Sequence, residues 1–218
     1  MQNIPGKPVI QIKKKLGWYH GYFVPSEITL APFFFGREDI MEFINREPII
    51  YVVSGKARSG KNSVCEFIKN HYKDLKVINL AYADTLKDYA MKITSWDGSE
   101  ETKPRELLQN LGVELIKTHI DDSMLVRRMV EDIKVYSYFY DVITISDARF
   151  PNEIDTIKNN FSKVISIRVL RDEKNDLTEK QNKHTTEIAM NDYSNYDYVI
   201  NNNDTLENLE KEVIKCIK

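Results

Sequence analysis

The sequence predicts an α/β protein with a five-stranded parallel sheet flanked by helices. The first supporting observation is an alternation, from Pro48 onward, of apolar runs of strand length with segments of helical periodicity, as in strand–helix–strand units. The second is size, because 218 residues, 42% hydrophobic and 29% charged, suit one globular core. The predicted strands are 49–53, 77–81, 142–146, 164–170 and 198–200.

Helices are predicted where apolar residues recur every three or four positions. The four predicted apolar faces span 64–72, 107–116, 125–133 and 206–217. Pro104 suits the first turn of the second helix, because the N–H that proline lacks would have no helical partner there. The asparagine run 201–203 precedes the last helix, and we interpret it as a turn.

Residues 1–47 differ from the rest and are predicted to be an N-terminal extension, with the main domain at 48–218. Aromatic residues alternate with glycine and proline here, and no sustained helical period begins before Ile40. This pattern favours a short hairpin and one short helix. The aromatic side chains are expected to cover an apolar surface or a subunit interface.

Composition excludes several functional classes. The net charge of −2 argues against a nucleic-acid partner. No apolar stretch reaches the roughly 18 residues that a membrane span needs, and the N-terminal residues lack a signal-peptide pattern. We therefore expect a cytoplasmic protein without a membrane partner. Cys65 and Cys216 are too few for a disulfide framework and lack zinc-site spacing, so Cys65 is expected to pack as a small apolar residue.

The most informative motif is a glycine-rich loop with the spacing Gly-x4-Gly-Lys between a predicted strand and a predicted helix. Gly55 and Gly60 allow the backbone to approach an anion, and Lys61 reaches phosphate oxygens. The N-terminus of the following helix presents its N–H groups to the same anion. The predicted phosphate-binding residues are Gly55, Lys56, Ala57, Arg58, Ser59, Gly60, Lys61, Asn62 and Ser63.

One position departs from the usual pattern. Asn62 stands where a serine or threonine hydroxyl would ligate magnesium, and Ser63, one residue later, points about 100° away on a helix. Either the Asn62 amide oxygen ligates the ion, or magnesium is held through water. Asn62 and Asp147 are the candidate metal residues.

A second polar cluster follows the third predicted strand of the core. Asp147 and Arg149 would lie at the carboxyl end of the parallel sheet, where ligands bind in open α/β folds. Asp147 is suited to orient magnesium-bound water, and Arg149 to clamp a phosphate. The structural alternative is an ion pair closing a turn, either Asp147–Arg149 or Arg149–Glu153.

With these motifs, the chain resembles the deoxynucleoside monophosphate kinases of bacteriophages and some bacteria and, more distantly, phosphomevalonate kinase. The resemblance runs from about residue 49 to the C-terminus and leaves the extension unexplained. It implies a three-layer P-loop NTPase fold and phosphoryl transfer from ATP, with magnesium, to a nucleoside monophosphate; homodimers are common in this family. The segments that carry it are 55–61, 83–87, 105–112, 147–153, 184–187 and 198–209.

The resemblance also implies individual roles. Lys61 and the loop backbone would bind the ATP phosphates, with Arg58 at the junction between the substrates; Lys61, Arg58, Arg149 and Asp147 are the catalytic candidates. The candidates for acceptor binding are Asp84, Lys87, Arg105, Gly112, Asp147, Arg149 and Glu153. Lys87 and Arg105 have a plain alternative as solvated helix charges. The polar stretch 171–187 is interpreted as a lid that excludes water. His184 either contacts a phosphate or caps the strand-to-helix junction, with the capping role favoured, and Glu187 is a candidate for orienting a lid residue.

Two other functions stay open at this point. A kinase of the same fold could use another acceptor, such as dephospho-coenzyme A, phosphomevalonate or a ribonucleotide. A nucleotide-binding regulatory module needs no acceptor, and Asn62 after Lys61 favours it. Arg105, Arg149 and the lid-like stretch argue against the regulatory module, and no Asn-Lys-x-Asp segment that would read guanine follows a strand.

Overall fold

The computed structural model describes residues 44–172 and 188–217, together with the backbone of 18–19 and 22–23. The chain divides into two units, Met1–Asn45 and Arg46–Lys218. In the first unit, β1 (Trp18–Tyr19) and β2 (Tyr22–Phe23) pair antiparallel, which confirms a hairpin. The predicted short helix of the extension lies outside the described residues.

The second unit contains the predicted parallel sheet. Its strand order is β4-β5-β3-β6-β7, and every neighbouring pair is parallel. The strands are β3 (Ile49–Gly55), β4 (Val77–Leu80), β5 (Val142–Ala148), β6 (Val164–Leu170) and β7 (Tyr198–Asn201). The five strands predicted from apolar runs are therefore confirmed, with β3 at the centre.

Helices connect the strands and cover both faces. The described α-helices are α1 (Lys61–His71), α2 (Tyr82–Ile93), α3 (Arg105–Gln109), α4 (Met124–Tyr136), α5 (Pro151–Asn160) and α6 (Leu206–Cys216). A π-helix (Asn110–Ile120) follows α3 directly. None of these described helices is both long enough and apolar enough to span a membrane.

The core lies on both sides of β3, because this strand alternates its side chains between two layers of helices. Ile50 and Val52 join a cluster with the buried faces of α4 and α5. Tyr51 and Val53 join a second cluster with residues of α1 and α6. All four side chains are fully buried, as expected for the central strand of a three-layer α/β fold. Cys65 packs in the second cluster, and burial raises the pKa of its thiol to about 12.

Three helical segments differ from the four predicted apolar faces. Helix α2 lies outside them and was indicated only by the resemblance at 83–87. The predicted second helix becomes a short α-helix and then the π-helix, in which Gly112 packs so closely on α2 that a Cβ would lie 2.8 Å from Leu86 Cδ1. Helix α5 was not predicted, because its buried apolar side chains are only Ile154 and Ile157, too few for a clear period.

Candidate active site

The glycine-rich loop connects β3 to α1 at the carboxyl end of the sheet. A Cβ at Gly55 would lie 2.4 Å from Ser59 Oγ and 2.7 Å from the carbonyl oxygen of Val169 on β6. Gly60 has a φ of 102°, and a Cβ there would lie 2.4 Å from Asn202 Nδ2. Both glycines are required by contacts within the protein itself, since any side chain would push the loop away from β6 and β7.

Lys61 is folded into the loop. Its side chain is buried, and Nζ donates to the carbonyl oxygens of Gly55 at 2.8 Å and Lys56 at 2.7 Å. Helix α1 has no side-chain cap and no acidic residue in its first turn. The loop therefore combines a buried ammonium group with the positive end of a helix dipole, which suits an anion.

Ser59 lies beside Gly55 and is 3% exposed. Its hydroxyl oxygen has no hydrogen-bond partner within the described part of the chain. A buried hydroxyl without a partner costs free energy, and such groups in native proteins call for a physical explanation. A phosphate oxygen bound in the loop would provide the missing partner.

Asn202 holds the loop from the side of β7. It is buried, its Nδ2 donates to the carbonyl oxygen of Ser59 at 2.9 Å, and its backbone N–H donates to the carbonyl oxygen of Leu170 at 2.7 Å. The predicted asparagine turn therefore fixes the loop that carries Lys61, a role that sequence analysis missed.

Asp147, at the end of β5, caps helix α2. Its Oδ1 accepts the N–H of Tyr82 at 2.8 Å, and its Oδ2 accepts the N–H of Ala83 at 2.9 Å. Burial raises the pKa of Asp147 above its usual range, although these two N–H groups and Arg149 act in the opposite direction. The metal role predicted for Asp147 stays a prediction, and its capping role is an addition to it.

Glu153 closes the turn between β5 and α5. Its Oε2 accepts the N–H groups of Arg149 at 2.7 Å and Phe150 at 3.2 Å. Its ion-pair partner is Lys117 of the π-helix, whose Nζ lies 3.7 Å from Oε1 and 3.3 Å from the centre of the Phe150 ring. Burial raises the pKa of Glu153 to about 7, even though Lys117 pulls it down. The turn is thus closed through the backbone of Arg149, and sequence analysis missed Lys117.

The other acceptor-side candidates lie on the helices after β4. Lys87 and Asp84 form an ion pair at 2.7 Å on α2. Burial lowers the pKa of Lys87, but the hydrogen bond to Asp84 and the negative charges of Asp84, Asp147 and Glu100 together outweigh it, so the pKa lies above its usual value. Arg105 is exposed at the start of α3, and Gly112 contacts α2 as described above. These residues stay predictions for acceptor binding.

The structure brings the glycine-rich loop and the cluster after β5 together. Gly55, Lys56 and Arg149 line one crevice, whose wall also includes Arg168 of β6 and Met190. Asn62 and Arg58 are exposed at the loop, and Arg58 has a positive φ of 61°. The predicted lid, with His184 and Glu187, lies outside the described residues apart from its first two positions. Over residues 44–172 and 188–217, no cluster of three or more acidic, histidine or cysteine side chains could hold a metal ion.

Comparison with known proteins identifies the family to which the chain is similar. A model described as deoxynucleotide monophosphate kinase matches residues 82–213, more than half of the chain, beginning after the glycine-rich loop. A protein of Acanthamoeba polyphaga mimivirus, provisionally named a deoxynucleotide monophosphate kinase, is 25% identical over 194 aligned residues, which cover 78% of this chain and 95% of the relative.

Solved structures give the fold. An unliganded sugar kinase from Janibacter sp. HTCC2649 has a TM-score of 0.50 at 12% identity, covering 78% of this chain and 94% of its own. The APS kinase of Mycobacterium tuberculosis, in complex with AMPPNP and APS, has a TM-score of 0.48 at 11% identity, with 78% and 96% covered. Together with the parallel sheet and flanking helices, the likeness to the sugar kinase confirms the predicted P-loop fold class.

The contact between Asn202 and Ser59 predicts a loss of stability on substitution. Asn202→Ala is expected to lower the free energy of unfolding by about 1–3 kcal/mol, because a buried carbonyl group loses its donor. Urea denaturation measures the change. Asn201→Ala removes an exposed asparagine one position earlier and serves as the control. Equal stability of the two variants would contradict the supporting role of Asn202.

The raised pKa of Glu153 predicts a pH-dependent effect of Glu153→Gln. Unfolding lowers the pKa of Glu153 from about 7 toward its ordinary value of 4.5. A carboxyl group with a raised folded-state pKa weakens the fold as pH rises through this window. The stability of Glu153→Gln relative to the wild type should therefore increase by about 2 kcal/mol from pH 5.5 to pH 8.5.

Urea denaturation at both pH values measures this difference. Glu131→Gln removes an exposed carboxylate from α4, where Lys134 is its partner at 2.7 Å, and is the matched control. A Glu153→Gln difference that does not change with pH would show that Glu153 is ionised throughout the range.

Proposed function

The chain belongs to the deoxynucleotide monophosphate kinase family, and on that premise we propose that it transfers the γ-phosphoryl group of ATP to the phosphate of a deoxynucleoside monophosphate. The products are ADP and the deoxynucleoside diphosphate. The observation that carries the proposal is the loop between β3 and α1, where the buried Lys61 ammonium and the Ser59 hydroxyl lie at the N-terminus of α1. Among the described residues, neither the Ser59 hydroxyl nor this helix end has a side-chain hydrogen-bond partner.

The donor phosphates are proposed to bind in this loop. Lys61 would exchange its hydrogen bonds to the Gly55 and Lys56 carbonyl oxygens for bonds to phosphate oxygens, and Ser59 would donate its hydroxyl to the same anion. Lys61 would thereby exchange neutral partners for a charged one, and Ser59 would gain a charged partner. Hydrogen bonds to a charged group are stronger than those between neutral groups. Arg58 lies on the exposed side of the loop and is proposed to contact phosphates where the two substrates meet.

The acceptor is proposed to bind on the side of α2, α3 and the π-helix. Arg149 follows β5 and shares a crevice with the loop, so its guanidinium is suited to clamp the acceptor phosphate in line with the donor. Lys87 and Arg105 would add positive charge for the acceptor, with Asp84 orienting Lys87. Gly112 and Glu153 would act indirectly, by fixing the π-helix and the turn that carries Arg149.

Magnesium would neutralise charge on the phosphates. The donor set suits this ion, because the Asn62 amide and the Asp147 carboxylate both offer oxygen. Asn62 is exposed at the start of α1, whereas both oxygens of Asp147 already accept backbone N–H groups. We therefore place Asp147 as a contact through water. Residues 171–187 are proposed to close over the donor and exclude water.

The test is a coupled ADP-release assay with ATP, magnesium and a panel of nucleoside and deoxynucleoside monophosphates. ADP release should depend on one or a few deoxynucleotides and stop when EDTA removes magnesium. Lys61→Ala should lower kcat/KM by about 100-fold or more, since it removes a charge that acts on the transferred group. Lys69→Ala removes an exposed lysine from the same helix and should leave the rate unchanged.

Because Lys61 also bonds to the loop, a thermal melt must show that Lys61→Ala is folded. If no monophosphate in the panel causes ADP release while ATP binding is intact, the proposed nucleotide acceptor is contradicted. Equal rates for the two lysine variants would contradict the role of the loop.

A further inference from the structure

Arg168 is a buried cation in the middle of an apolar strand. It lies on β6 in register with Ser54 of β3 and is 7% exposed. Its neighbours Ile167 and Val169 belong to the cluster that contains α1 and α6. Because side chains alternate along a strand, Arg168 points to the opposite face, the one that α4 and α5 cover.

The hydrogen-bond partners of Arg168 are neutral. Its Nη1 donates to Ser54 Oγ at 3.1 Å and to the Tyr196 hydroxyl at 3.4 Å. The Tyr196 ring lies 5.7 Å from the guanidinium carbon, and its hydroxyl also contacts Ser54 Oγ at 3.4 Å. No carboxylate pairs with Arg168 among residues 44–172 and 188–217, and in that range its Nε and Nη2 make no hydrogen bond.

The protein compensates the charge of Arg168 only in part. A guanidinium group stays charged in proteins, so burial cannot be relieved by loss of a proton. Two neutral hydroxyl groups and an aromatic ring offset only part of the lost hydration. Arginine is enriched where a planar fork must bind phosphate, and the N–H groups on Nε and Nη2, which bond to no other described residue, offer such a fork here.

The location indicates which anion fits. Arg168 lines the narrow crevice that also contains Gly55 and Lys56 of the glycine-rich loop and Arg149 of the turn after β5. The crevice has no room for a water molecule in this structure, so a phosphate that binds there must move the lining side chains apart. One arginine side chain from β6 and one from the turn after β5 thus share this crevice with the loop. Ser54 and Tyr196 hold the guanidinium of Arg168 in place through Nη1, which leaves its other nitrogens for a ligand.

We propose that Arg168 binds a phosphate oxygen of a nucleotide in this crevice, as a binding residue additional to the loop and Arg149. The proposal rests on the proposed function in one respect, that the bound anion is a nucleotide phosphate. Two sources share this chemistry, the γ-phosphate of the donor and the phosphate of the acceptor. Separate binding measurements distinguish them.

The experiment compares Arg168→Met, Arg168→Lys and Arg128→Met with the wild-type full chain. Arg128→Met is the matched control, because Arg128 is exposed on α4 and pairs with Asp132 at 2.9 Å. Isothermal titration calorimetry with a non-hydrolysable ATP analogue, with inorganic tripolyphosphate and with each deoxynucleoside monophosphate gives the Kd values. Urea denaturation without ligand gives the stability of each variant.

Arg168→Met should weaken binding of at least one of these phosphate ligands by about tenfold to a hundredfold, as expected for a charge-assisted hydrogen bond. Arg168→Lys, which keeps the charge but loses the fork, should weaken binding less. Without ligand, Arg168→Met should be as stable as the wild type or more stable, because it removes a buried charge. Loss of ATP-analogue and tripolyphosphate binding assigns Arg168 to the donor; loss of monophosphate binding alone assigns it to the acceptor.

The outcomes separate this proposal from the proposed function. Unchanged Kd values in a folded Arg168→Met variant would overturn the role of Arg168 and leave the kinase assignment in place. If tripolyphosphate binding depends on Arg168 but no monophosphate is phosphorylated, the binding role of Arg168 is supported and the proposed nucleotide acceptor is contradicted. If Arg168→Met fails to fold, unchanged binding by Arg168→Lys would assign Arg168 to the scaffold. A wild-type chain that binds none of the probes would overturn both.

Discussion

The candidate site depends on how closely the loop after β3 approaches the neighbouring strands. There is no room for a Cβ between Gly55 and the Val169 carbonyl group, and Asn202 contacts the loop from β7. This closeness follows from the position of β3, which is central in the sheet and buried on both faces. The loop is therefore fixed by β6 and β7 before any ligand binds, and Lys61 is held with it. Such preorganisation lowers the cost of ordering the loop around an anion.

The charges of the site are distributed unequally. The carboxylates of Asp147 and Glu153 accept backbone N–H groups and serve as caps. By contrast, Lys61 donates to backbone carbonyl groups and Arg168 to hydroxyl groups. Lys117 and Lys87 pair with carboxylates, whereas the described hydrogen bonds of Lys61 and Arg168 go to neutral atoms that a phosphate can replace. This distribution favours a polyanionic ligand and explains why a local excess of positive charge is possible in a chain of net charge −2.

The sequence predicted what depends on local patterns. The five strands are short apolar runs, and the loop with Lys61 has a fixed spacing, so both were found. The π-helix was not predicted, because apolar residues at 107–116 recur with the α-helical period and π-helices are rare. Arg168 lies within a predicted strand and Asn202 within a predicted turn, and the role of neither side chain was predicted. The one available signal for Arg168 was a single charge inside an apolar run, which marks a buried cation only once the strand is known to be internal.

The two capping carboxylates also connect the proposed acceptor side to the strand that precedes Arg149. Asp147 joins the end of β5 to the first turn of α2, and Glu153 joins the following turn to the π-helix through Lys117. Helix α2 and the π-helix in turn meet at Gly112 and Leu86. A ligand that shifts either helix must therefore move the backbone next to Arg149 or break the hydrogen bonds of Asp147 or the ion pair of Glu153. The placement of Arg149 therefore depends on the positions of α2 and the π-helix, which we propose to bind the acceptor.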